Sequence, residues 1–577
     1  MELFCENETV NDQETVDEQA GAPIDANDEA EPDRDGRPVD SAETHRRSVN
    51  KWLSDRSAPQ VLIVLAVVLY TSYFTQRSLD IHHGLGTASY DSALYDQGMW
   101  LLSRGEAPFV TLMGRNMFGD HTSFILLFLV PAYWIAPGAW IMFFAQSAAI
   151  GAGAIPIFLY GRKRLESEWM ALVGGLVYLV HPAVGWTNLE NFHPDAFLGV
   201  LVGCAIYGAL ERKWCVYGVF VVLSLMVKED VSLVIVPLGI WVALRRDRRI
   251  GLITVFGSIG FMFTAMYVVM RGLIGVPTRN AWRLPFSQDG DSTFRGAARL
   301  VETAVTDPTE LADHLRAENR PWYVWQMTSP FALLFLRLPS VALISGLVLF
   351  TNILSTFWYQ FQIEYHYSLI AVPALAMGTI HAIGAIRDRR DVLATCDDAD
   401  VDDVDDVDDV DVDVGPMKQL FVPTRAMAMG ALAVTAAVTS MMWAPVPWSR
   451  TQLYYGQPDN IYATTMREII SDIPDDAPVA AHYRVTPHLA YRTDIYQFPN
   501  PFRVDLYGAD EAIVGTRLAD RADRIEFVVI PTSEDENLAD DWALVSSAFD
   551  EVDRNDIWIL YERNRSVALP GNPVIPS

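Results

Sequence analysis

Cysteine is scarce in this chain, and so is positive charge. Only four cysteines occur among 577 residues (Cys5, Cys204, Cys215 and Cys396), and none has the spacing of a metal knuckle. Cys204 lies inside an apolar run and the others have no evident partner, so no structural disulfide is expected. Lys and Arg number 43 against 72 Asp and Glu, a formal net charge of −29. That balance excludes a nucleic-acid partner, which would need clustered basic surface. The first stretch, Met1 to Thr44, has almost no large apolar residues and holds fifteen Asp/Glu against only Arg34 and Arg37. It cannot bury enough surface to fold, and residues 1–56 read as an acidic, disordered cytoplasmic tail. No cleavable signal peptide is visible ahead of the first apolar run near Pro59.

What the chain does have is apolar length. Hydrophobic residues make up 51% of it, which conflicts with the net charge for an ordinary soluble protein and agrees with a membrane protein carrying acidic soluble parts. Runs long enough for a bilayer, about 17 to 25 residues, or somewhat short of it, cover 59–76, 139–160, 168–184, 195–211, 214–227, 231–245, 250–271, 322–338, 339–354, 367–385 and 424–443. About eleven transmembrane helices are therefore expected. The Asp/Val repeat from Cys396 to Val414 lies in a solvated cytoplasmic linker, residues 391–420; cation binding by the Asp run is the alternative. Excess Asp with little Lys suits salt-rich surroundings, as in a halophilic archaeon.

Short-loop basic residues orient the spans. Arg46, Arg47, Lys51 and Arg56 place the N-terminus in the cytoplasm. Alternation then keeps Arg162-Lys163-Arg164, Arg212-Lys213, Arg245 to Arg249 and Arg387 to Arg390 inside too. The scheme holds only if the apolar run 122–136 does not cross. Its Pro131, Tyr133 and Trp134 suit an element lying in the interface. The transmembrane domain, 57–390, thus has outer loops at 77–138 and 272–321, and a last helix follows at 421–444. Residues 445–577 form a small extracytoplasmic α/β domain with strands at Pro478 to Ala481, Glu526 to Ile530 and Ile557 to Tyr561. Leu518 to Arg524 and Thr465 to Ser471 are its expected helices.

In this layout the polar clusters all fall outside. Asp91 and Asp96 stand in the first outer loop. A carboxylate there can serve as general base toward a hydroxyl, or Asp91 can simply cap a helix starting at Ser92. Asp120-His121 can bind metal, bind phosphate or cap the interfacial run. Asn191-Phe192-His193-Pro194-Asp195 adds a second imidazole and a third carboxylate, with Glu190 adjacent. Asp91, Asp120, His193 and Asp195 together supply the ligand types for a divalent cation such as magnesium or manganese. Lys228-Glu229-Asp230 interrupts a long apolar stretch; it either neutralises a lipid-linked phosphate or forms an internal ion pair at a hairpin. The aromatic loop Tyr359 to Tyr367 offers sugar-stacking faces or an interface belt. The belt accounts poorly for Glu364 and His366.

The order and spacing of YDSALYDQGMW, GDHTSFILLFLVPAYWI, NFHPD, KED and EYHYSLIAVP resemble the prokaryotic membrane family called domain of unknown function 2079. PVAAHYRVTPHLAYRTDIYQFPNPF resembles that family's outer domain. The family is similar in layout to GT-C glycosyltransferases, polytopic enzymes that use polyprenyl-phosphate sugars. The resemblance implies a GT-C-like fold in the cell membrane, with in-plane helices in the first outer loop. It also implies Asp91 as catalytic base or metal ligand, with Asp96 second. His121, His193, Lys228, Glu229, Tyr365 and His366 would contact the substrate and its phosphate. The expected partners are the bilayer and a lipid-linked sugar donor such as a dolichyl phosphate sugar. The rivals are a transporter or flippase, against which stands the lack of a clear internal repeat, and a membrane-anchored surface binding protein.

Overall fold

Proline decides how the apolar runs are divided. The computed structural model describes residues 56–274, 283–288, 291–386, 424–451, 457–506, 513–533 and 536–569. The acidic tail, the Asp/Val linker and part of the second outer loop lie outside the described residues. Among the described residues, five helices are long and apolar enough to cross a membrane: Ala58–His83, Ala139–Arg164, Arg248–Leu273, His366–Ile383 and Arg425–Trp443. Glu168–Leu179 and Pro182–Leu189 make a sixth if taken as one span bent by 46°.

The expected runs 322–338 and 339–354 are not two continuous helices. They appear as Arg320–Thr328, three short 3₁₀ turns and Gly346–Leu354. Pro330 and Pro339 cannot continue a helical hydrogen-bond ladder, and Ala332 and Leu333 adopt left-handed φ of 51° and 54°. Irregular backbone of this kind is tolerated at membrane depth only where protein or a polar cavity surrounds it. The run 122–136 forms a 3₁₀ turn, Phe124–Leu129, continued by the helix Val130–Ile135. Its length is about 21 Å, against roughly 30 Å for the hydrocarbon core. Phe128, Trp134 and Ile135 are exposed on it, as an element dipping into the interface requires.

Contacts sort the loops to two ends of the bundle. Ser57 and Gln60 bond Glu168, Lys163 pairs with Glu211, and Arg246 donates to the Leu210 carbonyl. Arg164 donates to the His381 carbonyl, and Arg425 reaches the Ile386 carbonyl and Glu166. The described basic loops therefore share one end. The helix Ala58–His83 has 26 residues and separates that end from the other by about 39 Å. At the far end His83 and Gly84 accept from Arg467 and Asn460 of the C-terminal domain.

That domain carries five strands: β3 (Val479–Ala481), β4 (Ile495–Gln497), β5 (Phe527–Pro531), β6 (Phe549–Arg554) and β7 (Trp558–Arg563), in the order β4-β3-β5-β7-β6. β1 (Phe109–Val110) and β2 (Arg115–Asn116) make a small hairpin in the first outer loop. β3 pairs parallel with β4 and β5, and it is buried throughout, as an all-apolar central strand should be. β6 is an edge strand exposed except at Phe549; its acidic residues, which blunt the edge, also disguised it as a loop. The helix Ile461–Ile470 and the short turn Ala519–Ala522 stand where helices were expected.

Close helix packing makes one fold-level prediction. A side chain at Gly251 would overlap the Ala243 backbone and the Gly239 carbonyl oxygen, because Ser232–Arg245 and Arg248–Thr264 pack backbone to backbone there. Gly251→Val should destabilise this hairpin by about 1–3 kcal/mol. Gly257→Val, where nothing lies within 4 Å, is the control. Size-exclusion profiles in detergent should show loss of monodisperse protein for the first variant only.

Candidate active site

Asp91 stands on a backbone kink. Its φ of 71° and ψ of −65° are those of a γ-turn, a conformation rarely adopted by residues other than glycine. Such strain, of order 1–3 kcal/mol, persists only where neighbours enforce it. They do so here: Ser89 Oγ bonds Thr486 of the C-terminal domain at 2.7 Å, and Ser92 Oγ donates to Asn191 at 3.0 Å. The helix that follows, Leu94–Ser103, starts after Ala93 with no side-chain cap, so Asp91 is not its capping residue. The C-terminal domain grips this helix as well. Buried Gln97 donates to the Arg492 and Thr493 carbonyls, and Thr111 Oγ1 bonds the Ile495 carbonyl.

The Asp91 carboxylate lies 3.3 Å from His193 Nε2 and is 42% exposed. His193 is placed by Gln146, whose amide donates to the Asn188 and Asn191 carbonyls and accepts from the His193 N–H. The His193 ring stacks on His366 at 3.7 Å. Glu190 accepts from the His366 N–H at 2.6 Å and faces His366 Nδ1 at 3.1 Å. Lys228 Nζ lies 3.8 Å from Asp195, 4.0 Å from Asp230 and 5.5 Å from the Tyr367 ring. His121 Nδ1 bonds Glu229 at 2.8 Å.

These pairs belong to one electrostatic cluster. Burial alone would raise Asp91, but His193, Lys228 and His121 outweigh it and hold the carboxyl below its usual range. Burial opposes the His193 cation, yet Asp91 and Glu190 lift it to about 9. Glu190 itself is pushed up to about 8, chiefly by burial. Glu229 is drawn down to about 2 because His121 and Lys228 overcome its burial.

Two expected residues lie apart. Asp96 is buried beneath the loop, accepting from Tyr133 at 2.7 Å and Tyr491 at 3.2 Å, and burial pushes it up to about 7. Tyr365 packs its ring against Tyr359 and Trp358; Tyr367, two residues on, is the one beside Lys228. Nor do the four expected metal ligands converge. Asp120 lies 3.5 Å from Arg115, and Asp195 faces Lys228. Among the described residues the one group able to offer three ligand atoms together is Glu190, His193 and His366, within 4.8 Å of one another. Glu190 was passed over because it looks like a neighbour of the NFHPD run. Tyr367 was one of several aromatics with nothing to single it out.

Apolar helices, a polar site gathered at one end and a sheet domain clamped over it define a multi-helix membrane protein. The chain belongs to the family described as "Predicted membrane protein (DUF2079)", whose profile matches residues 81–564. Two solved structures of ArnT from Cupriavidus metallidurans, one apo and one bound to undecaprenyl phosphate, are also similar. Each has 13% identity and a TM-score of 0.48, covering 89% of this chain and 100% of that chain. No curated protein matches.

Proposed function

We propose that this protein is a membrane glycosyltransferase that moves a sugar from a polyprenyl phosphate, such as a dolichyl phosphate, to an acceptor hydroxyl at the outer membrane face. The carrying observation is the accessible Asp91 carboxylate on its strained turn, 3.3 Å from His193 and within the field of Lys228 and His121. A proton acceptor and an array of cations in one cluster suit attack by a hydroxyl on a carbon whose leaving group is a phosphate. The basic loops at the opposite end support a cytoplasmic side for that end.

The acceptor oxygen forms a bond to the anomeric carbon while its proton passes to Asp91. The bond from that carbon to the phosphate oxygen breaks with its electron pair, and the polyprenyl phosphate leaves with inversion at the sugar. The negative charge it gains is met by His193 and Lys228. Asp91 is ionised at neutral pH, so proton transfer runs late, after bond formation has acidified the hydroxyl. A divalent cation at Glu190, His193 and His366 would add Lewis-acid charge at the phosphate. Two imidazoles and one carboxylate suit a zinc-class ion better than magnesium or manganese.

Lipid extracts of a deletion strain test the reading. A polyprenyl-phosphate sugar should accumulate and a surface glycan should lose a residue; an unchanged profile rejects the transferase in favour of transport or binding. Its pH dependence has a definite sign. His193 keeps its proton below about 9 and loses it above, so kcat/KM should fall as pH rises through that value. On the acid side, activity should persist below the ordinary carboxylate range, because Asp91 is held ionised there. A profile level through pH 10 would remove His193 from the mechanism.

A further inference from the structure

Without a cation, the chemistry above gives Glu190 no part of its own in handling the phosphate, yet both imidazoles of the site are tied to it. Its carboxylate takes the His366 N–H and Nδ1, and its backbone carbonyl lies 3.2 Å from His193 Nδ1. A carbonyl only accepts, so His193 carries a hydrogen on Nδ1 and turns Nε2 toward Asp91. His366 likewise commits Nδ1, leaving Nε2 for another partner. With both Nδ1 atoms turned to one residue and the rings stacked 22° from parallel, both Nε2 atoms face away from Glu190. The arrangement follows from the chain's local conformation. The helix Pro182–Leu189 ends at Glu190, Asn191 turns the chain with φ of 40°, and Gln146 holds that turn from a neighbouring helix.

We propose that Glu190 is the positioning residue of this site: it locks two imidazoles so that their Nε2 edges form a seat for the phosphate ester of a lipid-linked donor. The inference rests on the transferase reading and adds to it the group that prepares the seat. Preorganisation is the physical reason it matters. A phosphate that gains charge as it leaves is stabilised by donors already aimed at it, whereas a freely turning imidazole must first be ordered. Lys228 stands on the same cluster and supplies a fixed charge that needs no such orientation.

Histidine modification by diethylpyrocarbonate, read peptide by peptide by mass spectrometry on the full chain in detergent, tests this without knowledge of the sugar. Farnesyl phosphate serves as the probe. In the wild type it should slow modification of His193 and His366 by about tenfold, the worth of one charge-assisted hydrogen bond. E190Q leaves the backbone carbonyl that holds His193 Nδ1, so it should lose the protection of His366 while His193 keeps most of its own. E190D, which keeps the charge one methylene further back, should recover part of the His366 protection and is the variant to use if E190Q does not accumulate. Protection that is absent in the wild type overturns the phosphate seat together with the donor class of the transferase reading. Protection of His366 equal in wild type and E190Q leaves that reading standing and overturns the role of Glu190. Protection abolished by a chelator assigns the three side chains to a metal and overturns the direct seat.

Discussion

Asp91→Asn should lower sugar transfer by about a thousandfold, within the range lost when a general base is removed, while leaving the amount of protein in the membrane unchanged. Asparagine is the right substitution for a physical reason. At φ of 71° most side chains are strained, but Asn tolerates positive φ at least as well as Asp. The turn, the Ser92 bond to Asn191 and the grip of the C-terminal domain all stay in place. Alanine would confound lost chemistry with lost conformation. His193 loses its nearest carboxylate in the variant, so it should give up its proton at lower pH than the wild type. Transfer measured with purified protein, together with the thermal unfolding midpoint, separates the outcomes. Full activity in Asp91→Asn removes Asp91 from the reaction. Asp96→Asn is the matched control: Asp96 is fixed by two tyrosine hydroxyls beneath the loop and should affect unfolding more than turnover.

The sidedness of the chain was legible because it rests on composition along the sequence. Arg and Lys mark one set of loops, and the His- and carboxylate-rich clusters mark the other. The contacts of Glu168, Glu211 and Arg425 at one end, and of His193 and Lys228 at the other, express the same separation. The break in the apolar stretch at Lys228 was legible for a similar reason, since three ionisable residues in a row need partners. Span integrity was not. A hydropathy window sees 322–354 as two apolar runs and is blind to Pro330 and Pro339, which divide them into turns. Convergence was not legible either. Nothing in the spacing says that the aromatic loop returns to place His366 on His193, or that a glutamine inside an apolar helix latches the NFHPD turn. Those facts depend on which helices pack together, and a single sequence without that packing leaves Glu190 looking like a flanking residue.

Lys228→Met should destabilise the fold by about 3–5 kcal/mol, the loss typical of removing one partner from a buried ion pair. The side chain is 6% exposed and that of Asp195 10%, so water offers the abandoned carboxylate little relief. Methionine keeps the aliphatic stem and its packing near Tyr367, so the loss reports charge rather than volume. Glu229 and Asp230 make the deficit worse. His121 compensates Glu229, but Lys228 is the cation that faces both Asp195 and Asp230. The double variant Lys228→Met/Asp195→Asn should therefore regain much of the stability, because the more buried of the two carboxylates left unpaired is gone, while Asp230, 43% exposed, stays within reach of water. The two changes will not be additive, and their coupling measures the pair. Transfer should behave differently. If Lys228 also meets the phosphate, the double variant folds and remains inactive, separating the structural role from the chemical one. An unfolding midpoint in Lys228→Met equal to that of the wild type would mean the pair contributes nothing to stability. Recovery of transfer in the double variant would mean Lys228 serves the fold alone.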